Sequence, residues 1–202
     1  MSNYSSGKMG YEVAIAAKTM GASVKLISGP VSLDTIKGVE TQYIETSNEM
    51  YEAVMSNAKD FDILISTAAI ADYKPANYSK TKYKKNQNNI SIEFKRGIDI
   101  ISTVSNKYKN IYTVGFAAET DSLKKNSLDK LTKKNLNMIV GNIANHELKL
   151  GFESDYNEVT IFTKNKSLKI ALSKKSEIAK SVLSAIADDY TSNIKLINKH
   201  AK

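Results

Sequence analysis

The sequence predicts an α/β fold built on a doubly wound, mostly parallel sheet with a small antiparallel hairpin, and three observations carry that expectation. Short apolar runs of strand length alternate with longer amphipathic stretches of helical period. One short run, Phe61 to Ile65, is almost continuously apolar, as a strand buried on both faces must be. The runs Ser28-Gly29-Pro30, Ala68 to Tyr73, Gly115 to Glu119 and Gly141-Asn142 follow predicted strands. In α/β sheets, ligands are held by the loops at those carboxyl ends.

A polar, glycine-containing loop opens the chain. Met9 to Met20 then reads as a helix, because Val13, Ala14, Ala17 and Met20 share a face, and Gly21 is placed to stop it. Val24 to Ile27 reads as a strand, Asn48 to Ala58 as a helix, and Phe61 to Ile65 as the next strand. Asp72 to Asn89 is polar and rich in Lys, Tyr and Asn. It reads as a long loop of the kind that is functional or mobile. Ile90 to Phe94 alternates like a strand, Asp99 to Lys109 is helical, and Ile111 to Phe116 is a strand. Ser122 to Lys134 reads as a helix and Leu136 to Val140 as a strand. Glu158 to Thr163 and Ser167 to Ile170 read as a hairpin. Lys174 to Tyr190 is the final amphipathic helix. The expected organisation is one domain over 1–190 and a basic tail over 191–202. This is a Rossmann-like arrangement with one feature lacking. No strand precedes the glycine loop, so the expected sheet is missing its first strand.

The 202 residues suffice for one sizeable buried core, and 42% are hydrophobic, which suits a globular chain. With no cysteine, disulfides, thiolate metal sites and a catalytic thiol are excluded. No apolar run approaches a membrane span, and the polar start is not a signal peptide, so the expected location is cytoplasmic with no membrane partner. The net charge of +8 allows two readings, attraction of polyanions or a solvated basic face. Aromatic residues scatter without an interleaved stacking platform, so no nucleic-acid partner is expected.

Several motifs have chemistry to offer, each beside a plainer reading. Ser5-Ser6-Gly7-Lys8-Met9-Gly10 would present backbone N–H groups to a phosphate at a helix start, or be only a capped start. It is not a Walker A loop, because Met9 stands where Ser or Thr is needed. A dinucleotide fingerprint is incomplete, since the strand ending at Ile27 lacks a ribose-binding acid. Ala68-Ala69-Ile70-Ala71-Asp72-Tyr73 would let a flat base or acyl group approach the backbone, with Asp72 on a hydroxyl or metal, or as a turn cap. Lys80-Thr81-Lys82-Tyr83-Lys84-Lys85 would close over a triphosphate or form a solvated face. Lys130 and Lys134 share a helix face, beside Lys133. Gly115 and Phe116 end a strand with a small residue and an aromatic. His146 and His200 have no partners at metal-ligand spacing and are bystanders. The metal ligands are unknown.

Taken together and in order, these segments resemble the phosphopantothenoylcysteine synthetase (phosphopantothenate–cysteine ligase) family. In bacteria this is usually the C-terminal half of a bifunctional flavoprotein. The resemblance rests on Ser2-Asn3-Tyr4 through Gly10, Ser28-Gly29-Pro30-Val31, Ala68 through Tyr73 and the basic loop through Lys82-Tyr83-Lys84-Lys85. It continues through Val114 to Thr120, Lys130, Lys133-Lys134-Asn135-Leu136, Gly151-Phe152, Ser154-Asp155 and Asn157. It implies a ligase in coenzyme A biosynthesis. CTP activates 4′-phosphopantothenate as an acyl-cytidylate with release of pyrophosphate, and L-cysteine then displaces CMP, with Mg²⁺ as cofactor. It implies Asn3 and Lys82 as catalytic residues, and Asn3 and Ala69 as substrate-binding. The implied nucleotide contacts are Ser6, Gly7, Ala68, Ala69, Asp72, Lys82, Gly115, Phe116, Lys130 and Lys134. It also implies a homodimer and a flavin decarboxylase partner. Family members begin with a strand ending in a Gly-Gly-Thr loop, absent before Met1 here, so the expectation is an N-terminally truncated domain: a fragment, a split gene product or a misassigned start. Where the family often has Asn-Pro ahead of Asp99, this chain has Gly97-Ile98. The alternative functions are a Rossmann-like NAD(P)-binding reductase and an inactive nucleotide- or RNA-binding module.

Overall fold

The computed structural model describes residues 5–77, 91–143 and 154–200, with side chains through 192. Its elements run α1 (Lys8–Thr19), β1 (Lys25–Ser28), β2 (Glu40–Tyr43), α2 (Ser47–Asn57), β3 (Ile63–Ser66), β4 (Tyr73–Pro75) and β5 (Phe94–Arg96). They continue α3 (Ile100–Lys107), β6 (Tyr112–Glu119), α4 (Leu123–Lys133), β7 (Met138–Ile143), β8 (Tyr156–Thr163), β9 (Ser167–Lys174) and α5 (Lys175–His200). No helix among the described residues is long and apolar enough to cross a membrane.

Local chemistry sets the helix ends. α1 stops at Gly21, whose φ of 90° only glycine adopts without strain. The N–H groups of Gly21 and Ala22 then reach back to the carbonyls of Lys18 and Ala17, as a Schellman motif requires. α4 ends the same way, with Asn135 at φ 52°. The N–H of Asn135 donates to the Thr132 carbonyl and that of Leu136 to the Leu131 carbonyl. The Leu131 and Leu136 side chains are both buried, the apolar contact that goes with this ending. α2 opens on Thr46, whose hydroxyl oxygen accepts from the Glu49 N–H while Glu49 reaches back to the Glu45 N–H. α3 opens on Asp99, which accepts from the Ser102 N–H.

β3, β6 and β7 run parallel, and β8 and β9 extend them antiparallel in the order β3-β6-β7-β8-β9. Side-chain alternation sends Tyr112, Val114, Met138, Val140, Val159 and Ile161 to one face, against Val13 and Ala16 of α1 and Ile178, Val182 and Ile186 of α5. Ala117, Ile139 and Phe162 face the other way, against Leu131 of α4. A third cluster joins Met50 and Val54 of α2 to Ile100 and Val104 of α3. Helices therefore cover both faces, as the doubly wound expectation requires. β1 and β2 form a separate parallel pair, and β4 and β5 a small antiparallel pair. Among the described residues no strand lies between β1 and β3. β9 is the far edge of the main sheet, with Leu168 and Leu172 exposed alongside Lys169 and Lys174.

The structure departs from the expectation in several places, first in that Gly115 to Glu119 and Gly141-Asn142, expected on the loops after their strands, lie within β6 and β7, whose ladder continues to Glu119 and Ile143. β2 went unpredicted because Glu40–Tyr43 is polar and pairs only with β1, so no apolar alternation marks it. β4 lies within the expected loop after Asp72 for the same reason, being a short edge strand. The strand expected over 90–94 lies instead at Phe94–Arg96, in register with β4. The last helix does not stop at Tyr190 but continues to His200, so the backbone of 191–200 is helical.

Asn135 holds a left-handed conformation that a β-branched side chain resists by about 1–2 kcal/mol. Asn135→Val is therefore expected to lower the urea-unfolding free energy by about that much, and Asn135→Gly to leave it unchanged or slightly raised.

Candidate functional site

Where β3 ends, beside the middle of β6, the sheet opens into a polar cleft of ≈ 130 Å³. Ser66 and Ala68 line it from the end of β3, and Gly115 and Phe116 from β6. Asp72 enters from the segment leading into β4, Arg96 and Gly97 from the end of β5, Asp99 from the start of α3, and Lys130 and Lys134 from α4 and its end. Ser66 and Gly115 are paired across β3 and β6, which fixes these two walls to the sheet. Gly97 donates its N–H to the Asp72 carbonyl at 2.7 Å and holds the β4–β5 arm beside the cleft. A side chain at Gly97 would meet the Ala71 carbonyl at 3.3 Å.

The two lysines of the cleft are held by carboxylates. Lys130 Nζ donates to Glu119 Oε1 at 2.6 Å, and Asn126 Nδ2 donates to the other carboxylate oxygen at 3.3 Å. The Glu119 side chain is only 10% exposed, whereas that of Lys130 is 43% exposed, so a shielded carboxylate holds a lysine that remains open to the cleft. Lys134 Nζ lies 3.0 Å from Asp99 Oδ2, while the other Asp99 oxygen caps α3. Ser105 Oγ donates to the Lys134 carbonyl at 2.5 Å, and Asn135 Nδ2 donates to the Ser105 carbonyl at 3.4 Å. α3 and the end of α4 thus form one hydrogen-bonded block. An ammonium has three donors, and a carboxylate occupies one or two of them. The cleft therefore offers directed cationic donors, with Arg96 as a third cation, beside the carboxylates of Asp72 and Asp99.

The start of α1 lies at the same end of the sheet. Tyr11 and Ser28 are joined through their hydroxyls at 3.2 Å, and a side chain at Gly10 would meet Thr67 Oγ1 at 2.7 Å. Gly7 has φ 74° and packs against Val31, so the opening loop and the 28–31 segment form one surface. Lys8 Nζ donates to Asp155 Oδ1 at 2.6 Å. Asp155 is held below its ordinary pKa by that hydrogen bond and by the Lys8 and Lys175 charges. Nearby Lys175 is 4% exposed, and burial, then the Lys8 charge, push its pKa down against the pull of Asp155.

Of the residues singled out from sequence, the structure gathers Ala68, Asp72, Gly115, Phe116, Lys130 and Lys134 in the one cleft. Ser6 and Gly7 stand at the start of α1 and do not line it, and Ala69 adjoins it without lining it. Asn3 and Lys82 lie outside the described residues, as do the Lys80–Lys85 run, His146 and Gly151-Phe152. Arg96, Asp99 and Glu119 were not singled out as site residues. Arg96 sits on a short exposed strand with no pattern, and Glu119 and Asp99 act through lysines distant in sequence. No group of three or more His, Cys, Asp or Glu arranged to hold a metal occurs among the described residues.

Comparison with known proteins agrees with this architecture. The family model for the DNA/pantothenate metabolism flavoprotein C-terminal domain matches residues 1–190. The coenzyme A biosynthesis bifunctional protein CoaBC of Vibrio parahaemolyticus is 43% identical over 186 residues, which is 91% of this chain and 46% of that protein. The chain thus spans about half the length of the curated relatives it matches. The crystal structure of the C-terminal domain of a CoaBC superposes with a TM-score of 0.78 at 34% identity, covering 96% of this chain and 86% of that one. A Cab2 variant in complex with phosphopantothenate-cysteine superposes with a TM-score of 0.72, covering 96% of this chain and 81% of that one. At 14% identity that likeness speaks for the fold alone.

The Lys8–Asp155 contact makes a pH-dependent prediction. The folded pKa of Asp155 is depressed below 3.8. Its contribution to stability is therefore fully present above that value and lost as pH falls through the folded pKa. In Lys8→Met, Asp155 is expected to titrate closer to 3.8, and stability to fall less steeply in acid. Carbon-detected NMR titration of the Asp155 carboxyl checks this, and an unchanged Asp155 curve would refute the contact.

Proposed function

The chain belongs to the family of the DNA/pantothenate metabolism flavoprotein C-terminal domain, and from that membership we propose that it is the ligase that joins 4′-phosphopantothenate to L-cysteine, using CTP. The observation that carries the proposal is the convergence of Ala68, Asp72, Gly115, Phe116, Lys130 and Lys134 on one cleft at the strand ends, with Arg96 added. The CoaBC relatives act in coenzyme A biosynthesis by name, and the Cab2 structure holds phosphopantothenate-cysteine. The pathway of the CoaBC relatives supports this choice of substrates.

In the proposed reaction, a carboxylate oxygen of 4′-phosphopantothenate attacks the α-phosphorus of CTP and expels pyrophosphate. The amine of cysteine then attacks the acyl carbon, expels CMP and loses a proton as the amide forms. Negative charge gathers on the departing pyrophosphate, and fixed cations stabilise it with little reorganisation. Lys130, Lys134 and Arg96 supply those cations. Glu119 and Asp99 position the two lysines before the ligand arrives. Phe116 covers the base, and the small residues Gly115, Ala68 and Ala69 let base and acyl group lie close to the backbone. Ser6 and Gly7 offer N–H groups to phosphate oxygens at the start of α1. Asn3 orients the acyl group and Lys82 closes over the triphosphate. Mg²⁺ is commonly held by one or two carboxylates together with substrate phosphates, and Asp72 and Asp99 in the cleft wall fit that donor set. When bound, it would neutralise phosphate charge. The reading carries with it a homodimer, a flavin decarboxylase as the companion activity and a cytoplasmic setting.

The experiment is to mix the purified chain with CTP, Mg²⁺, 4′-phosphopantothenate and cysteine and to follow pyrophosphate and CMP separately. Both products are the expected result, pyrophosphate release requiring 4′-phosphopantothenate and CMP release requiring cysteine as well. NADPH binding without CTP binding would overturn the ligase in favour of a reductase. Lys130→Met and Lys134→Met are each expected to weaken CTP binding about tenfold or more, as loss of a hydrogen bond to a charged group implies. Tryptic protection or calorimetry with CTP measures this, and wild-type affinity in both variants would remove the cleft from the site.

A further inference from the structure

A buried carboxylate stands behind the cleft without lining it. Glu119 is the last residue of β6. A carboxylate taken out of water is stable only with donors on its oxygens. Two donors reach it, both from one face of α4. Lys130 Nζ donates to Oε1 and Asn126 Nδ2 to Oε2. The two residues are four apart on the helix, so their side chains are neighbours.

Asn126 also fastens the chain between β6 and α4. Its amide nitrogen carries two hydrogens. Besides Glu119, that nitrogen donates to the Asp121 carbonyl at 3.1 Å. The Asn126 backbone N–H donates to the Ser122 carbonyl at 3.0 Å. Ser122 holds φ 46° and ψ 37°, a left-handed conformation that side chains resist, and its hydroxyl makes no capping hydrogen bond to α4. The strained turn is therefore held from the helix side, by Asn126.

The two lysines of the cleft differ in how their carboxylates are fixed. Asp99 gives its second oxygen to the backbone N–H of Ser102, a rigid donor in the first turn of α3. Glu119 gives its second oxygen to the Asn126 side chain. A glutamate held at one oxygen alone can turn about its own bonds and take its partner with it. Lys130 is half-exposed and has rotamer freedom to lose, so its direction depends on a fixed partner.

We propose that Asn126 is a positioning residue of the cleft: by holding Glu119 in one orientation it aims the Lys130 ammonium at an anionic ligand that Asn126 itself never touches. The proposal rests on the reading of the cleft as the nucleotide site.

The test is a double-mutant cycle on the full chain, read by calorimetry with CTP. Asn126→Ala is expected to weaken CTP binding about fivefold beside Lys130. In a Lys130→Met background the same change is expected to cost nothing further. Asn126→Asp keeps the size of the side chain but, when ionised, presents no donor, and is expected to give the same pattern with a larger loss. Unchanged affinity in both Asn126 variants, or an equal loss in both backgrounds, would overturn the proposal. A second readout needs no nucleotide. Relaxation of ¹⁵N at the lysine ammonium groups is expected to show Lys130 more mobile in either Asn126 variant, with Lys134 unchanged because Asp99 is fixed independently. Lys130 and Lys134 loosening together, or neither loosening, would overturn the proposal as well. A chain that binds no CTP would remove the nucleotide reading, and the relaxation of Lys130 would then decide the positioning role alone.

Discussion

The cleft depends on how closely one helix lies on the sheet. α4 packs over β6 and β7 where glycines replace side chains. A Cβ at Gly141 would meet Ser127 Oγ at 2.7 Å and Leu123 Cδ1 at 2.8 Å, and one at Gly115 would meet Leu136 Cδ1 at 2.9 Å. A larger residue at Gly141 would lift α4 and carry Lys130 with it, and one at Gly115 would press on Leu136 in the turn that follows Lys134. The turn after α4 secures the same placement. Asn135 reverses the chain, Leu136 is driven into the core, and Asn137 Oδ1 accepts from both the N–H and the hydroxyl of Thr113 on β6. The segment from Lys133 to Asn137 works as one clamp between helix and sheet.

Electrostatics in the cleft are local, although the chain as a whole carries +8. Lys130 and Lys134 each face a carboxylate, so the cleft does not hold a concentration of bare like charge. Lysine side chains lose considerable rotamer freedom when fixed. Holding them beforehand means that an anionic ligand need not impose that loss. Glu119 matters more than its distance from the cleft suggests, since its removal would free the half-exposed Lys130 side chain from the carboxylate that aims it.

Much of this was legible in the sequence, because the period of the apolar residues reports burial. α1, α2, α4, β3 and β6 were each placed to within a few residues. Six cleft residues were also visible, since small residues and an aromatic at strand ends are unusual and lysines at helical spacing share a face. What stayed hidden has a common cause. β2, β4 and β5 are polar edge strands whose hydrogen bonds leave no trace in residue type. Asp99 and Glu119 gain their roles from lysines brought close by folding, which linear spacing does not display. Nor does charge reveal that Lys8 and Asp155 meet, although both lay within motifs already noticed.

The two open margins of the sheet have opposite defences against unwanted pairing. β9 exposes Leu168 and Leu172 but sets Lys169 and Lys174 among them, and clustered ammonium groups repel an approaching copy. The facing edges of β1 and β3 are mostly apolar, with Leu26, Ile27, Ile63 and Ile65 beside the one charge of Lys25, and α1, α2 and α3 fence them off. During synthesis or storage, self-association would therefore nucleate at the β3 edge of the sheet and not at β9. Solubility of this polypeptide should accordingly respond to whatever lies between β1 and β3 far more than to added charge on β9.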